Sequence, residues 1–255
     1  MFSKIRNSPD LSSIPWLPPY QVKRSKQRKR LALRFCPWTG MLTIAVGSKT
    51  SKAIMARFVQ QNKDWIVAHA PDLTRAPESP LVASVDLAAL SMSLKLCYAD
   101  DPKPMIENKH NLQPSYLYLP YPRDQTEASL LWLRNWLKEK AFQTFSPWLA
   151  HLSQQTGLSY HALTIGLHKT RWGSYDQSAT INLHAGLLLM PPAIVDYVMI
   201  HELCHSLHWD HSAAFWQAVS QHYGPSQEAR QYLKKAHHHL PAWAYLSPRE
   251  LVLGR

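Results

Sequence analysis

The chain has 255 residues, 45% of them hydrophobic and 18% charged, the composition of an ordinary globular protein long enough for one large domain or two small ones. No apolar run reaches the length of a membrane span, and three scattered cysteines (Cys36, Cys97, Cys204) exclude a disulfide framework. The net charge of +11 points towards polyanions, but nine Lys/Arg against one acid in residues 1–34 supply +8 of it, so the rest of the chain is nearly balanced.

The opening "MFSKIRNSPDLSSIPWLPPY" has no continuous apolar stretch, so no secretory signal is expected and a reduced, cytoplasmic protein is. Its prolines and lack of periodicity predict an extended arm over residues 1–20. The basic run "KRSKQRKR" in residues 21–34 reads either as a solvated segment leading into a strand or as a phosphate-binding one. "LALRFCPWTGMLTIAV" predicts a β-hairpin. "SKTSKAIMARFVQQNKDWIVAH" predicts a helix capped by Ser51, with Ile54, Phe58, Trp65 and Ile66 on its apolar side. Strands follow in "LVASVDLAALSMSLKLCYA", and a short one, "SYLYLPY", lies inside a proline-rich loop that ends at residue 123. These segments make residues 21–123 a β-rich to mixed region.

From Asp124, a candidate cap, Leu130, Leu133, Trp136, Leu137, Ala141 and Phe145 fall at helical spacing. Pro147 is expected to kink or break this helix, and Gly157 to mark its end. "ALTIGLH" and "ATINLH" read as strands around "KTRWGSYDQS". Pro191 and Pro192 suit the start of a helix carrying "AIVDYVMIHELCHSL", a turn follows at residues 208–210, and Ser212 caps the next helix, which Gly224 ends. A last helix runs from about Gln227 to His237, and His237, His238 and His239 read as its solvated end.

The chemistry concentrates in "HELCHSLHWDH". On a helix, His201 and His205 lie one turn apart on one face, a bite that suits one zinc ion. Glu202, beside the first ligand, reaches a water on that ion without binding it, which is the logic of a His-Glu-x-x-His helix. Zinc brings the water pKa towards about 7 and the carboxylate takes its proton. His211 is the candidate third ligand, which leaves the fourth position open. Cys204 reads as a core thiol. The spacing of the third histidine is shared with metzincins, but His208 stands where those carry Gly and no methionine follows Met199, which excludes a true metzincin.

The stretch "TRWGSYDQSATINLHAGLLLMPPAIVDYVMIHELCHSLHWDHSAAFW" resembles the bacterial YgjP-like zinc metallopeptidase family over roughly residues 160–235, with weaker matches at "RKRLALRF" and "KDWIVAH". The matching elements are Trp172-Gly173-Ser174, Ile181-Asn182-Leu183, Pro191-Pro192, Tyr197-Val198, His201-Glu202-Leu203, His205, His211-Ser212 and Phe215-Trp216. Tyr175 departs from the family's usual cysteine, which removes any thiol role there. The resemblance implies a zinc-dependent peptidase acting on protein or peptide, with a minimal zincin core, and distant kinship with the SprT and WLM proteases.

The expected fold is therefore α+β: a small N-terminal β-rich region, then a zincin core over residues 124–255 with a short antiparallel sheet and the metal helix. Zincins bind substrate as an added strand on a sheet edge. That makes Arg171, Trp172, Gly173 and Tyr175 candidate substrate contacts, with Trp172 as a cleft wall or a core aromatic and Gly173 as a place of close approach or a bulge. For the oxyanion stabiliser, Arg171, Tyr175, His184 and Tyr197 remain open. Two alternatives stand beside the peptidase: a DNA-associated protease whose residues 21–34 bind nucleic acid, and a non-catalytic, zinc-stabilised interaction protein.

Overall fold

The computed structural model describes residues 11, 14–28, 30–35, 41–70, 82–102, 115–168, 171–236 and 240–244. The chain divides into two compact units, residues 1–78 and 79–255.

In the first unit, β1 (Tyr20–Ser25), β2 (Ala32–Phe35) and β3 (Leu42–Gly47) form a sheet of order β1-β3-β2. β3 pairs antiparallel with β2, as the hairpin pattern predicts, and parallel with β1. Alternation along β3 sends Leu42, Ile44 and Val46 into the core. Two helices cover them, α1 (Lys52–Gln61) and α2 (Lys63–His69), and Ser51 Oγ caps α1 by accepting from the Ile54 N–H at 3.3 Å.

The expected single helix is broken at Asn62, whose side-chain amide donates back to the Phe58 carbonyl at 2.8 Å. The inward stripe also differs from the expected one. Met55, Val59 and Ile66 are buried, while Ile54 is 54% exposed. The expected arm is also not extended where it is described: Leu11 is buried, and Ile14, Trp16 and Leu17 pack on the same core. The prolines hide any periodicity, yet the apolar side chains between them still gain by covering that core.

In the second unit, β4 (Ser84–Leu87) and β5 (Met92–Cys97) make an antiparallel hairpin, and β6 (Ser115–Tyr118) lies parallel to β5. Val85, Leu87, Leu94 and Leu96 share one core with Leu133, Leu183, Val195, Leu203 and Phe215. These strands, which precede the boundary read from sequence at residue 123, therefore pack with the helices that follow it.

α3 (Thr126–Thr156) buries Leu130, Leu133, Leu137, Ala141, Phe145, Leu149 and Leu152 along one stripe and ends where Gly157 takes φ 70°. It runs through Pro147 without interruption. Pro147 and Gln143 both lie on the exposed side of the helix, where water can stand in for the partner that the proline denies the Gln143 carbonyl. Gln125, and not Asp124, occupies the N-cap.

β7 (Ala162–Gly166), β8 (Gly173–Tyr175) and β9 (Thr180–His184) form the third sheet, of order β7-β9-β8. β8 turns back through a tight turn in which Asp176 Oδ1 accepts from the Ser178 and Thr180 N–H groups, at 2.8 and 3.1 Å. β9 is thus antiparallel to β8 and parallel to β7, so the sheet is mixed where the sequence predicts an antiparallel one. The class is α+β, as expected.

α4 (Pro192–Cys204) starts at its two prolines and is buried on nearly every side, a core helix. Trp148 of α3 donates its indole N–H to Asp196 Oδ1 at 2.7 Å and ties the two helices together. α5 (Ala213–His222) and α6 (Gln227–Lys234) complete the unit; residues 237–239 lie outside the described residues. No described helix is long and apolar enough to cross a membrane.

Candidate metal centre

The last turn of α4 carries His201 and Glu202, and His205 follows at its C-cap. Tight turns end the helix: the N–H groups of His205, Ser206 and Leu207 bond to the carbonyls of Glu202, Leu203 and Cys204. His211 precedes Ser212, whose Oγ caps α5 by accepting from the Phe215 N–H at 3.4 Å. The chain thus reverses over 206–211, bringing the third histidine back to the first two.

The ligand atoms of His201, His205 and His211 all lie within 4.8 Å of one another. Nε2 of His201 and Nε2 of His211 are 3.1 Å apart. Two ligands on tetrahedral zinc at about 2.0–2.1 Å are separated by about 3.3 Å, so this pair fits one cation. Nδ1 of His205 is 2.9 Å from the His208 carbonyl; as N–H donor there, it leaves Nε2 as a lone pair. Burial pushes His201 down to about 3, with help from its histidine neighbours, and also lowers His205. Both are thus held neutral, the form that ligates metal. The buried ring of Phe215 is the floor of the site, 4.6–4.9 Å from all three imidazoles.

Glu202 is 5% exposed. Burial pushes its carboxyl up to about 8, against the pull of the exposed Arg171 guanidinium. Its side chain lies against β8 at Gly173. A Cβ there would be inside contact distance of Glu202 Oε1 and 2.7 Å from its Cγ. What the glycine admits is therefore this side chain, and not a neighbouring backbone.

The other candidates separate. The half-buried Trp172 packs on the core, its ring edge-on to His184 at 4.9 Å. His184 is fully buried and accepts from the Gly186 N–H at 2.9 Å, which takes it out of reach of a substrate oxygen. Tyr197 is buried beside His201, and Cys204 is a buried thiol pushed up to about 11. Tyr175 meets the ring of Trp209 edge-on at 5.6 Å.

Two neighbours of the site have no role in the sequence reading. Trp209, inside the histidine motif, reads there only as part of a turn. Arg230 of α6 lies over the Trp216 ring at 4.3 Å, and Trp216 in turn stacks on His211 at 5.6 Å. Nothing near Arg230 in sequence marks it; the helix packing brings it there.

The family model described as YgjP-like, metallopeptidase domain, matches residues 29–236. No curated protein and no solved structure matches the chain.

Proposed function

The chain belongs to the YgjP-like metallopeptidase family, and from that premise we propose that it hydrolyses peptide bonds with zinc held by His201, His205 and His211. Glu202 is the general base. The observation that carries this reading is the convergence of three imidazole nitrogens beside the buried side chain of Glu202.

Zinc held by these three histidines would supply Lewis acidity to a carbonyl oxygen and would lower the pKa of a water towards about 7. The rest belongs to the chain. The His208 carbonyl fixes the His205 ring. Gly173 leaves room for Glu202 in a buried position beside the three histidines, from which it takes the proton of the attacking water. β8 is an edge strand, and its unpaired side supplies the backbone groups to which an extended substrate adds, with Gly173 and Tyr175 on that strand and Arg171 and Trp172 leading into it. Among the described residues the cluster holds three ligands and no fourth, which favours an open catalytic position over a structural one.

The test pairs two variants. Wild type purified without chelator should carry one zinc per chain. His201→Ala should lose both metal and thermal stability, because site assembly is coupled to folding. Glu202→Gln should keep zinc and fold, yet cleave a casein or peptide-library substrate about 10²–10⁴-fold more slowly. Zinc-replete Glu202→Gln that cleaves at the wild-type rate would falsify the mechanism.

A second reading, a nucleic-acid-associated protease, is favoured by the exposure of Lys23, Lys26, Arg28, Arg30 and Arg34 in the first unit.

A further inference from the structure

Trp209 is the most exposed large apolar side chain among the described residues, at 60%. It does not sit on a loose loop. The carbonyl of His208 before it bonds to His205, and Oδ1 of Asp210 after it accepts from the Ser212 N–H at 3.3 Å. A pinned turn that holds an indole out in water gains nothing from burial there, so the ring's use lies in what comes to cover it.

Its neighbour says what that is. Tyr175, edge-on to Trp209 at 5.6 Å, is the last residue of β8. Side chains alternate along a strand, so Gly173 and Tyr175 share a face. Their partners across the ladder, Leu183 and Ile181, are buried, and Gly173 abuts Glu202, so this face looks onto the metal helix. A substrate strand on the free edge of β8 would set one residue beside Gly173, next to Glu202. Another would lie beside Tyr175, about 7 Å further along at roughly 3.4 Å per residue. Cross-strand neighbours come within about 4.5–5.5 Å at Cβ, close enough for a third side chain to join the aromatic pair. Antiparallel pairing, the more stable kind, runs the substrate against β8. The residue beside Tyr175 then lies on the N-terminal side of the scissile bond.

We propose that Tyr175 and Trp209 form an aromatic wall that selects an apolar, above all aromatic, substrate side chain. The selected residue lies two positions N-terminal to the residue whose carbonyl is attacked. This rests on the peptidase reading.

The experiment uses the full-length, zinc-loaded protein and peptides of one sequence. Phe, Leu, Gly or Lys is placed in turn at each of three positions on either side of the cleaved bond. Wild type should favour Phe over Gly roughly tenfold in kcat/KM at the stated position. Trp209→Ala should bring that ratio near one, Trp209→Phe should keep most of it, and Tyr175→Ser should lower it. Zinc content and Tm, measured for each variant, separate this from damage to the site. Binding of the same peptides to zinc-loaded Glu202→Gln, followed by fluorescence anisotropy, gives a readout that needs no turnover. An even rate across the series, a preference at another position, or a Phe/Gly ratio unmoved in zinc-replete Trp209→Ala overturns the wall and leaves the peptidase reading standing. Phe-selective binding without cleavage by wild type keeps an apolar docking wall but removes the peptidase reading, and with it overturns the placement of the selected residue relative to a scissile bond. Neither cleavage nor binding removes both.

Discussion

The sheet of β1, β2 and β3 and the sheet of β7, β8 and β9 are wired alike. In each, the third strand is central, parallel to the first and antiparallel to the second. Their uses differ because of what packs against equivalent backbone. In the first sheet, Gly47 ends the central strand where a Cβ would come 2.9 Å from the Arg28 carbonyl, a chain-to-chain contact. In the second, Gly173 opens the edge strand onto the Glu202 side chain. One glycine closes a turn and the other seats a buried carboxyl side chain, the base of the proposed mechanism. A shared topology carries no chemistry by itself; the side chain admitted at one position does.

That contrast can be broken most sharply at the two glycines. Gly173→Ala should force Glu202 out of place. A displacement of that kind costs about 10²-fold in kcat/KM. Zinc content should hold, since none of the three histidines touches that Cβ among its nearest neighbours. Wild-type activity in this variant would mean that the position of Glu202 does not govern the rate. Gly47→Ala should do the opposite: a stability loss of roughly 1–3 kcal/mol by denaturant melting, as overpacking against fixed backbone costs, with kcat/KM unchanged. A matching loss of activity would mean that the first unit takes part in turnover.

The histidine cluster was legible because its chemistry is local. A four-residue spacing puts two histidines on one face of any helix, and a turn with a serine cap brings back the third. The seat of Glu202 was not, because it depends on register between residues about thirty apart, and "RWGS" reads equally well as a bulge. The same limit hid Trp209, whose partner Tyr175 belongs to another element. Pro147 shows the reverse failure: a sound local rule predicts a break, but exposure lets water replace the missing partner of Gln143. In α1 the inward stripe is Met55 and Val59, one position on from Ile54 and Phe58, so Ile54 faces outwards. The proline-rich opening concealed Leu11 and Trp16 because a covering segment needs apolar contacts and no period.

The smallest effect, and the one that decides what the first sheet is for, concerns its cations. They are not equivalent. Arg24 Nη1 reaches the carbonyls of Gly47, Ser48 and Thr50, at 3.4, 3.3 and 2.8 Å, and so holds the turn that leads into α1. It acts as a tie within the unit. Arg24→Ser should lower stability by about 1 kcal/mol. Lys23, Lys26, Arg28 and Arg30 are exposed at the same end of the chain, and no described salt bridge uses them. Replacing these four with Ser should leave Tm close to wild type. If the unit docks nucleic acid, each phosphate that the variant no longer neutralises should flatten the plot of log affinity against log salt by about 0.9 for duplex DNA. The same change should leave cleavage of a free peptide untouched, because the proposed metal ligands and Glu202 all belong to the second unit. A wild type that fails to bind duplex DNA even at low salt removes the nucleic-acid reading. The cations are then a solvated face, and the two sheets differ in that only the second has a proposed ligand.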